Sequence, residues 1–445
     1  MRVPRHEISL FGHSPHSSAF LRSTLLAAAI GVPAALAAAL FLAAVHASEH
    51  GLWVVLPKAL GCSSPPWYLV LALPVLGSLV VLAARALLPG DGGASPMHGL
   101  NSTPTTLSHV PGIVIAALGT LGFGAVLGPE APVIALGSAV GVLFTRFAAR
   151  DVKEAGLLPA SGAFSAVSAL FGGPIVAGIL LVEGGIGAGA ALMPRLVPGL
   201  VAAAVGYVVF DGLGSWSGLN APGLEVPHLP AYHGTNLPDL VIGVAVGVLA
   251  ALVVNACARL AIWVGLLKKR FSWQLLLIGG GLAVGALAML GRLLGADSQD
   301  VLFSGQSSVP AVVAENSVGI VLVLLLLKVA ISLGCGFRGG PIFPAIFLGV
   351  AIASVAVAGF GTSPTLAIAV GAAAGMAGQT RLLICPLVLS GLLVGPAGAD
   401  AVPAAALASV AAWMTATALH RAKDSAAAPQ APAGGATAAA APTPS

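Results

Sequence analysis

Ionisable side chains are so scarce in the apolar stretches of this chain that each one inside them is a candidate for chemistry. Glu130 stands alone in Leu121–Gly137, LGFGAVLGPEAPVIALG. Glu183 closes another apolar run and is the only acid between Ala155 and Leu192. Lys328 lies inside the apolar run Val318–Leu333. Such groups are costly in a membrane and must pair, reach water or serve a function. Glu130 follows Gly128-Pro129, and Pro is at home at the start of a helix because its missing N–H would be unpaired anyway. A helix beginning there exposes the N–H groups of Glu130 and Ala131. Free N–H groups at a helix N-terminus, with their partial positive charge, bind anions. The chemistry indicated is ion binding rather than bond-making. No HExxH, paired-Asp motif or Ser/His constellation accompanies these residues.

The same design occurs twice. Leu333–Gly349, LGCGFRGGPIFPAIFLG, aligns without gaps at an offset of 212 residues. Leu121/Leu333, Gly122/Gly334, Gly124/Gly336, Gly128/Gly340, Pro129/Pro341, Pro132/Pro344, Ile134/Ile346, Leu136/Leu348 and Gly137/Gly349 coincide. A Gly- and Leu-rich composition gives roughly two or three such matches by chance, so this is an internal repeat. Pro174 and Pro386 extend it at the same offset. Two polar differences stand out: Glu130 is matched by Ile342, and Val126 by Arg338. In the second copy the free N–H groups after Pro341 are those of Ile342 and Phe343. Two broken helices, one from each half of a membrane protein, commonly hold an ion near the bilayer midplane. The plainer alternative is a pair of kinked helices with close glycine contacts.

The elements that must position these groups are membrane helices. The chain has 445 residues, 58% hydrophobic and 8% charged, with a mean hydropathy of +1.01. No soluble domain of this size is so poor in charge, so the expectation is an all-α polytopic membrane protein. The net charge of +4 is thinly spread and gives no nucleic-acid patch. Cys62, Cys257, Cys335 and Cys385 have no metal-binding spacing, and neither a metal nor a cofactor is expected.

Residues 1–23 are polar, and Thr24–Val45 is the first apolar span, expected to be a retained helix rather than a cleaved signal. Residues 24–423 form the transmembrane transport domain, with a first repeat over about 67–210 and a second over about 238–420. Trp67–Leu88 is a span interrupted at Pro74. Pro89–Thr106, rich in Gly, Ser, Thr and Pro, is either a re-entrant loop or a surface loop; inside a membrane it must be buried or line water. Leu157–Val182 is two short apolar pieces broken at Gly172-Gly173-Pro174. Leu196–Phe210 is a further span, and Asp211–Pro238 is a polar connector. Leu240–Leu267, Leu275–Leu294 and Val318–Leu333 precede the second motif, with Asp300–Asn316 a mildly polar interfacial segment. Leu366–Met376, Leu382–Val394 and Val402–His420 follow it. Several spans fall short of the roughly 20 residues a straight crossing requires. Residues 424–445 are an Ala/Pro-rich tail with the composition of disorder.

With these residues in view, the chain resembles the CLC family of chloride channels and transporters. Leu127–Pro132, LGPEAP, is similar to the family's gating-glutamate motif GxEGP. Gly336–Gly349 is similar to its GxFxP signature, and Gly172–Glu183 to the segment between them. The forms GPE-x-P and FRGG-x-IFPA look closest to a bacterial branch of ion-transport proteins. The resemblance implies a CLC-like inverted repeat of many short, tilted and broken helices. It implies a homodimer in the plasma membrane with an anion pathway in each subunit, carrying chloride or another small anion, with or without protons. It also implies that Glu130 is the gate and that the N–H groups of Glu130, Ala131, Ile342 and Phe343 coordinate the anion.

Departures from the family pattern bear on the inner gate and on proton coupling. The family's GSGIP motif falls at Gly92–Pro96, which reads GGASP, so its serine is replaced by Gly93 or displaced to Ser95. Its late tyrosine falls at Ala404-Ala405-Ala406. Its internal proton-relay glutamate falls near Glu183, which reads equally as a helix-end residue facing water. Lys328 either attracts anions or braces the fold. The expected function is chloride transport by a glutamate-gated pore, passive or weakly proton-coupled. The alternatives are strict proton/chloride antiport, transport of fluoride or another small anion, and, from another class, a membrane-embedded enzyme using Glu130 and Glu183 as an acid pair.

Overall fold

The structure, a computed structural model, describes residues 18–98, 103–148, 152–185, 192–217, 226, 229–294 and 318–427. Apolar runs form the helices, and Gly and Pro stop most of them. The first half comprises α1 (Ser18–His50), α2 (Trp67–Leu87), α3 (Val110–Leu121), α4 (Glu130–Ala148), α5 (Val152–Leu170), α6 (Pro174–Glu183) and α7 (Leu192–Ser217). The second comprises α8 (Leu237–Leu266), α9 (Trp273–Leu293), α10 (Val318–Cys335), α11 (Ile342–Phe360), α12 (Pro364–Thr380), α13 (Ile384–Val394) and α14 (Val402–Ala427). Among the described residues, eight helices are long and apolar enough to cross a membrane. α3, α5, α6 and α10 provide shorter apolar stretches, and each of them leads into or out of a Gly/Pro break.

Several boundaries differ from the sequence reading for identifiable reasons. α1 starts six residues before the apolar run, and Arg22 donates to the Ala148 carbonyl at the far end of α4. α7 runs through Asp211 to Ser217, as no proline falls between Pro198 and Pro222 to stop it. α2 is not interrupted at Pro74. A proline frees the carbonyl four residues back, here that of Val70. A Cβ at Gly285 of α9 would lie 2.8 Å from that oxygen, so the bare backbone of α9 covers the fault. The stretch Asp300–Asn316 lies outside the described residues.

Lipid gives apolar helices no drive to associate, so close approach through small residues has to supply the packing. α4 with α5, and α11 with α12, share the most extensive helix contacts in the molecule. A Cβ at Gly137 would sit 2.3 Å from the Gly162 carbonyl oxygen, and one at Gly349 2.0 Å from that of Gly371. Gly137 and Gly349 are repeat equivalents, so both halves pack their motif helix in the same way. The described residues of the connector before α8, 226 and 229–236, bond to the second half. Val226 N–H donates to Leu393 O, Tyr232 N–H to Ala397 O, and Thr365 Oγ1 to Pro230 O. Burial and the neighbouring Asp239 carboxylate push the Tyr232 phenol up to about 12, which keeps it the donor in its 2.6 Å bond to Asp239 Oδ2.

Candidate functional site

The two motifs meet at their glycines. Gly128 N–H donates to Gly340 O and Gly340 N–H to Gly128 O, each at 2.7 Å. This two-residue antiparallel bridge is the one place among the described residues where backbone outside helices pairs in β fashion. A second crossed pair flanks it. Val126 N–H donates to Ser332 Oγ, and Arg338 N–H to Thr120 Oγ1, both at 3.2 Å. Thr120 and Ser332 stand at the repeat offset, as do Val126 and Arg338, so each contact has its counterpart with the halves exchanged. Such reciprocity is what a local two-fold axis between inverted halves produces. Gly124 (φ 90°) and Gly336 (φ 98°) are also equivalents, and both adopt backbone that only glycine takes without strain. The Thr120/Ser332 pair escaped the identity comparison because the two residues differ in type. A comparison of hydroxyls at the offset would have found it.

Each bridge leads straight into a helix. Val133 N–H donates to Pro129 O and Ala345 N–H to Pro341 O, so each proline carbonyl accepts the first bond of its helix. Ile342 N–H has no helical acceptor of its own, and the carboxylate of Glu130 supplies one. Glu130 Oε1 accepts from Ile342 N–H at 2.5 Å. Glu130 is fully buried, and its Oε2 accepts no hydrogen bond. Room for the carboxylate exists only because its neighbours lack side chains. A Cβ at Gly128 would fall 1.9 Å from Oε2, and one at Gly340 2.1 Å from Cδ. Phe343 is buried and stacks on Phe171, with ring centroids 5.5 Å apart.

Beside this junction lies a cavity of about 380 Å³, lined among others by Gly93, Ser95, Ala131, Arg338 and Pro341. The structure therefore brings Glu130 and Ile342 into contact and sets Ala131, Gly93 and Ser95 along one adjoining space. Residues 90, 92–96 and 103–106 of the Pro89–Thr106 loop line the cavity, while Pro89, Asp91 and Met97 are exposed outside it. Ala404 and Ala405 are fully buried, and a Cβ at Gly243 of α8 would lie 2.7 Å from the Ala404 carbonyl oxygen. Lys328 is fully buried on α10.

Glu183 lies elsewhere. Its Oε1 accepts from Leu383 and Ile384 N–H at 3.1 and 2.9 Å, and its Oε2 from Cys385 N–H at 2.8 Å. The carboxylate thus caps the N-terminus of α13, where the helix has free donors and partial positive charge. Sequence reasoning missed Asp91. Its carboxylate receives Arg85 Nε at 2.7 Å and Arg85 Nη2 at 3.2 Å, and it also pairs with Arg338.

Residues 94–417 match the family model described as voltage gated chloride channel. The chain belongs to that family, and it is a multi-pass membrane protein of the ion-transporting class. It is 30% identical over 358 residues to the protein named "Putative ion-transport protein YfeO" of Salmonella newport (strain SL254), covering 76% of this chain and 81% of that one. Among solved structures it superposes on a slow cyanobacterial chloride/proton antiporter with a TM-score of 0.72 at 17% identity, over 90% of this chain and 98% of that one. A CLC-type fluoride/proton antiporter gives 0.70 at 20% identity, over 89% and 95%. At these identities the two structures establish the CLC fold, which is the one expected.

Proposed function

We propose that the protein is a homodimer of the plasma membrane that carries chloride through a pathway in each subunit gated by Glu130, passively or with weak proton coupling. The observation that carries this reading is the 2.5 Å bond between Glu130 Oε1 and Ile342 N–H. A carboxylate on a helix-start N–H occupies the place an inorganic anion would take, so the side chain and the permeant ion compete for one site. Protonation removes the charge that makes the carboxylate a competitor, and flux rises as pH falls. The N–H groups of Ala131 and Phe343 complete the anion's contacts once Glu130 has swung away. Weak coupling is supported by Glu183, whose oxygens accept three backbone N–H bonds and serve α13 as a cap. Glycine at position 93 and alanines at 404–406 leave no bulky polar side chain to hold an inner gate shut.

The test is anion flux in proteoliposomes, with chloride, fluoride and nitrate compared. Glu130→Gln is expected to carry chloride at a rate nearly independent of pH, and Glu130→Ala to bind one further anion. An unaltered pH profile in Glu130→Gln would sink the gating role.

A further inference from the structure

The cavity beside the Glu130–Ile342 contact carries charge of one sign. Among the described residues Arg338 lines it, and no Asp or Glu does. Arg338 is only 6% exposed and is fixed in place, with Nε donating to the Asp91 carbonyl at 2.9 Å and Nη2 to the Asp91 carboxylate. Its Nη1 takes part in neither bond. Asp91 does not line the cavity, and its carboxylate is shared with Arg85, which also donates Nη1 to Gly336 O at 3.0 Å and stacks over Trp273 at 4.5 Å. Two guanidinium groups share one carboxylate, so the cluster keeps a net positive charge. Asp91 sits in a left-handed turn (φ 49°) flanked by Gly90 (φ 88°) and Gly92 (φ 69°), a backbone that holds the carboxylate behind Arg338 rather than in the cavity. At the repeat-equivalent position stands Val126, fully buried and apolar. The charge therefore exists on one side of the junction only.

The geometry points to this cavity as an anion-capture vestibule, with Arg338 as the residue that concentrates small inorganic monovalent anions at one entrance. The inference rests on the proposed anion pathway for its destination, since Ala131 and Pro341 in the cavity wall adjoin Glu130 and Ile342. A cleft with one sign of charge and low-dielectric walls focuses the field and raises the local counter-ion concentration. Asp91 and Arg85 are positioning residues, because they orient the Arg338 guanidinium without facing the anion.

Two measurements test it. In proteoliposomes, Arg338→Gln is expected to raise the half-saturating chloride concentration at this entrance about tenfold, with the maximal rate little changed. Arg338→Lys should recover part of the loss, and Asp91→Asn should lower the half-saturating concentration. The second measurement needs no transport. Ala94 lines the cavity and is exposed. Cys62 is half-buried and the other cysteines are buried. In an Ala94→Cys, Cys62→Ser protein, an anionic methanethiosulfonate should react faster than a cationic one, and Arg338→Gln or Arg338→Lys should shrink or spare that preference respectively. An unchanged reagent preference and an unchanged half-saturation, in variants that elute like the parent, would overturn the vestibule while leaving a pH-gated flux intact. Reagent preference as expected in a protein with no anion flux would keep the vestibule and remove the transport reading instead.

Discussion

The clearance around Glu130 allows the proposed gate to be tested with two alanines that should behave differently. At Gly128 a Cβ would stand 1.9 Å from Oε2 and 2.9 Å from Oε1. At Gly340 it would stand 2.2 Å from Oε1 and 2.1 Å from Cδ. Carbon contacts are comfortable at about 3.5–4.0 Å. Gly128→Ala therefore overlaps the carboxylate by well over an ångström. A single-atom anion at the Oε1 position needs only a displacement of several tenths of an ångström. Gly340→Ala crowds both occupants. Neither glycine has a left-handed φ, so alanine suits both backbones and the Gly128–Gly340 bridge can survive. Losing the charge-assisted bond to Ile342 removes about 1.5–3 kcal/mol of net stabilisation from the closed state. That shifts the closed-to-open ratio by roughly ten- to a hundredfold. Chloride flux measured against pH in proteoliposomes should be high at all pH in Gly128→Ala, much as in Glu130→Gln. In Gly340→Ala it should be low throughout. Identical behaviour of the two variants, or a wild-type pH profile in Gly128→Ala, would refute the shared-site reasoning.

Glu183→Gln weakens the cap of α13 and should cost about 1 kcal/mol, seen as a small drop in Tm, with chloride flux retained. Sustained uphill proton pumping driven by a chloride gradient at clamped potential, abolished in Glu183→Gln, would instead make Glu183 a proton acceptor. Ser332→Ala strands the buried Val126 N–H, and Thr120→Ala that of Arg338. Each should cost about 1–3 kcal/mol in thermal unfolding, with Thr120→Ser close to wild type, and an unchanged melt would deny the crossed bonds any weight. Cross-linking in mild detergent should trap the proposed dimer; monomers at every concentration would count against it.

What could be read from the chain and what could not divide along physical lines. Glu130, Ile342 and their glycines were legible because the repeat displays each position twice and the difference between the copies marks the acid. The break at Gly172-Gly173-Pro174 was legible because glycine and proline act locally. Pro74 misled, since the fault it makes in α2 is covered by Gly285, which is distant in the chain and silent in composition. Glu183 was visible as a lone acid, but its partners lie about 200 residues on, and nothing near it announces the N-terminus of α13. Asp91 was hidden in a glycine-rich loop that reads as a linker. Only the fold brings it to Arg338.

The crossed bonds at the centre also have a mechanical meaning. Four hydrogen bonds, from Gly128, Gly340, Val126 and Arg338, join the two halves beside the Glu130 carboxylate, at the proposed anion site. Transporters that rock one half against the other need a slack pivot at the midplane. Here the midplane contact is hydrogen-bonded, and shearing it would break bonds of buried backbone groups that water cannot replace inside a membrane. If Glu130 gates the pathway as proposed, its side chain can move while these four bonds stay in place.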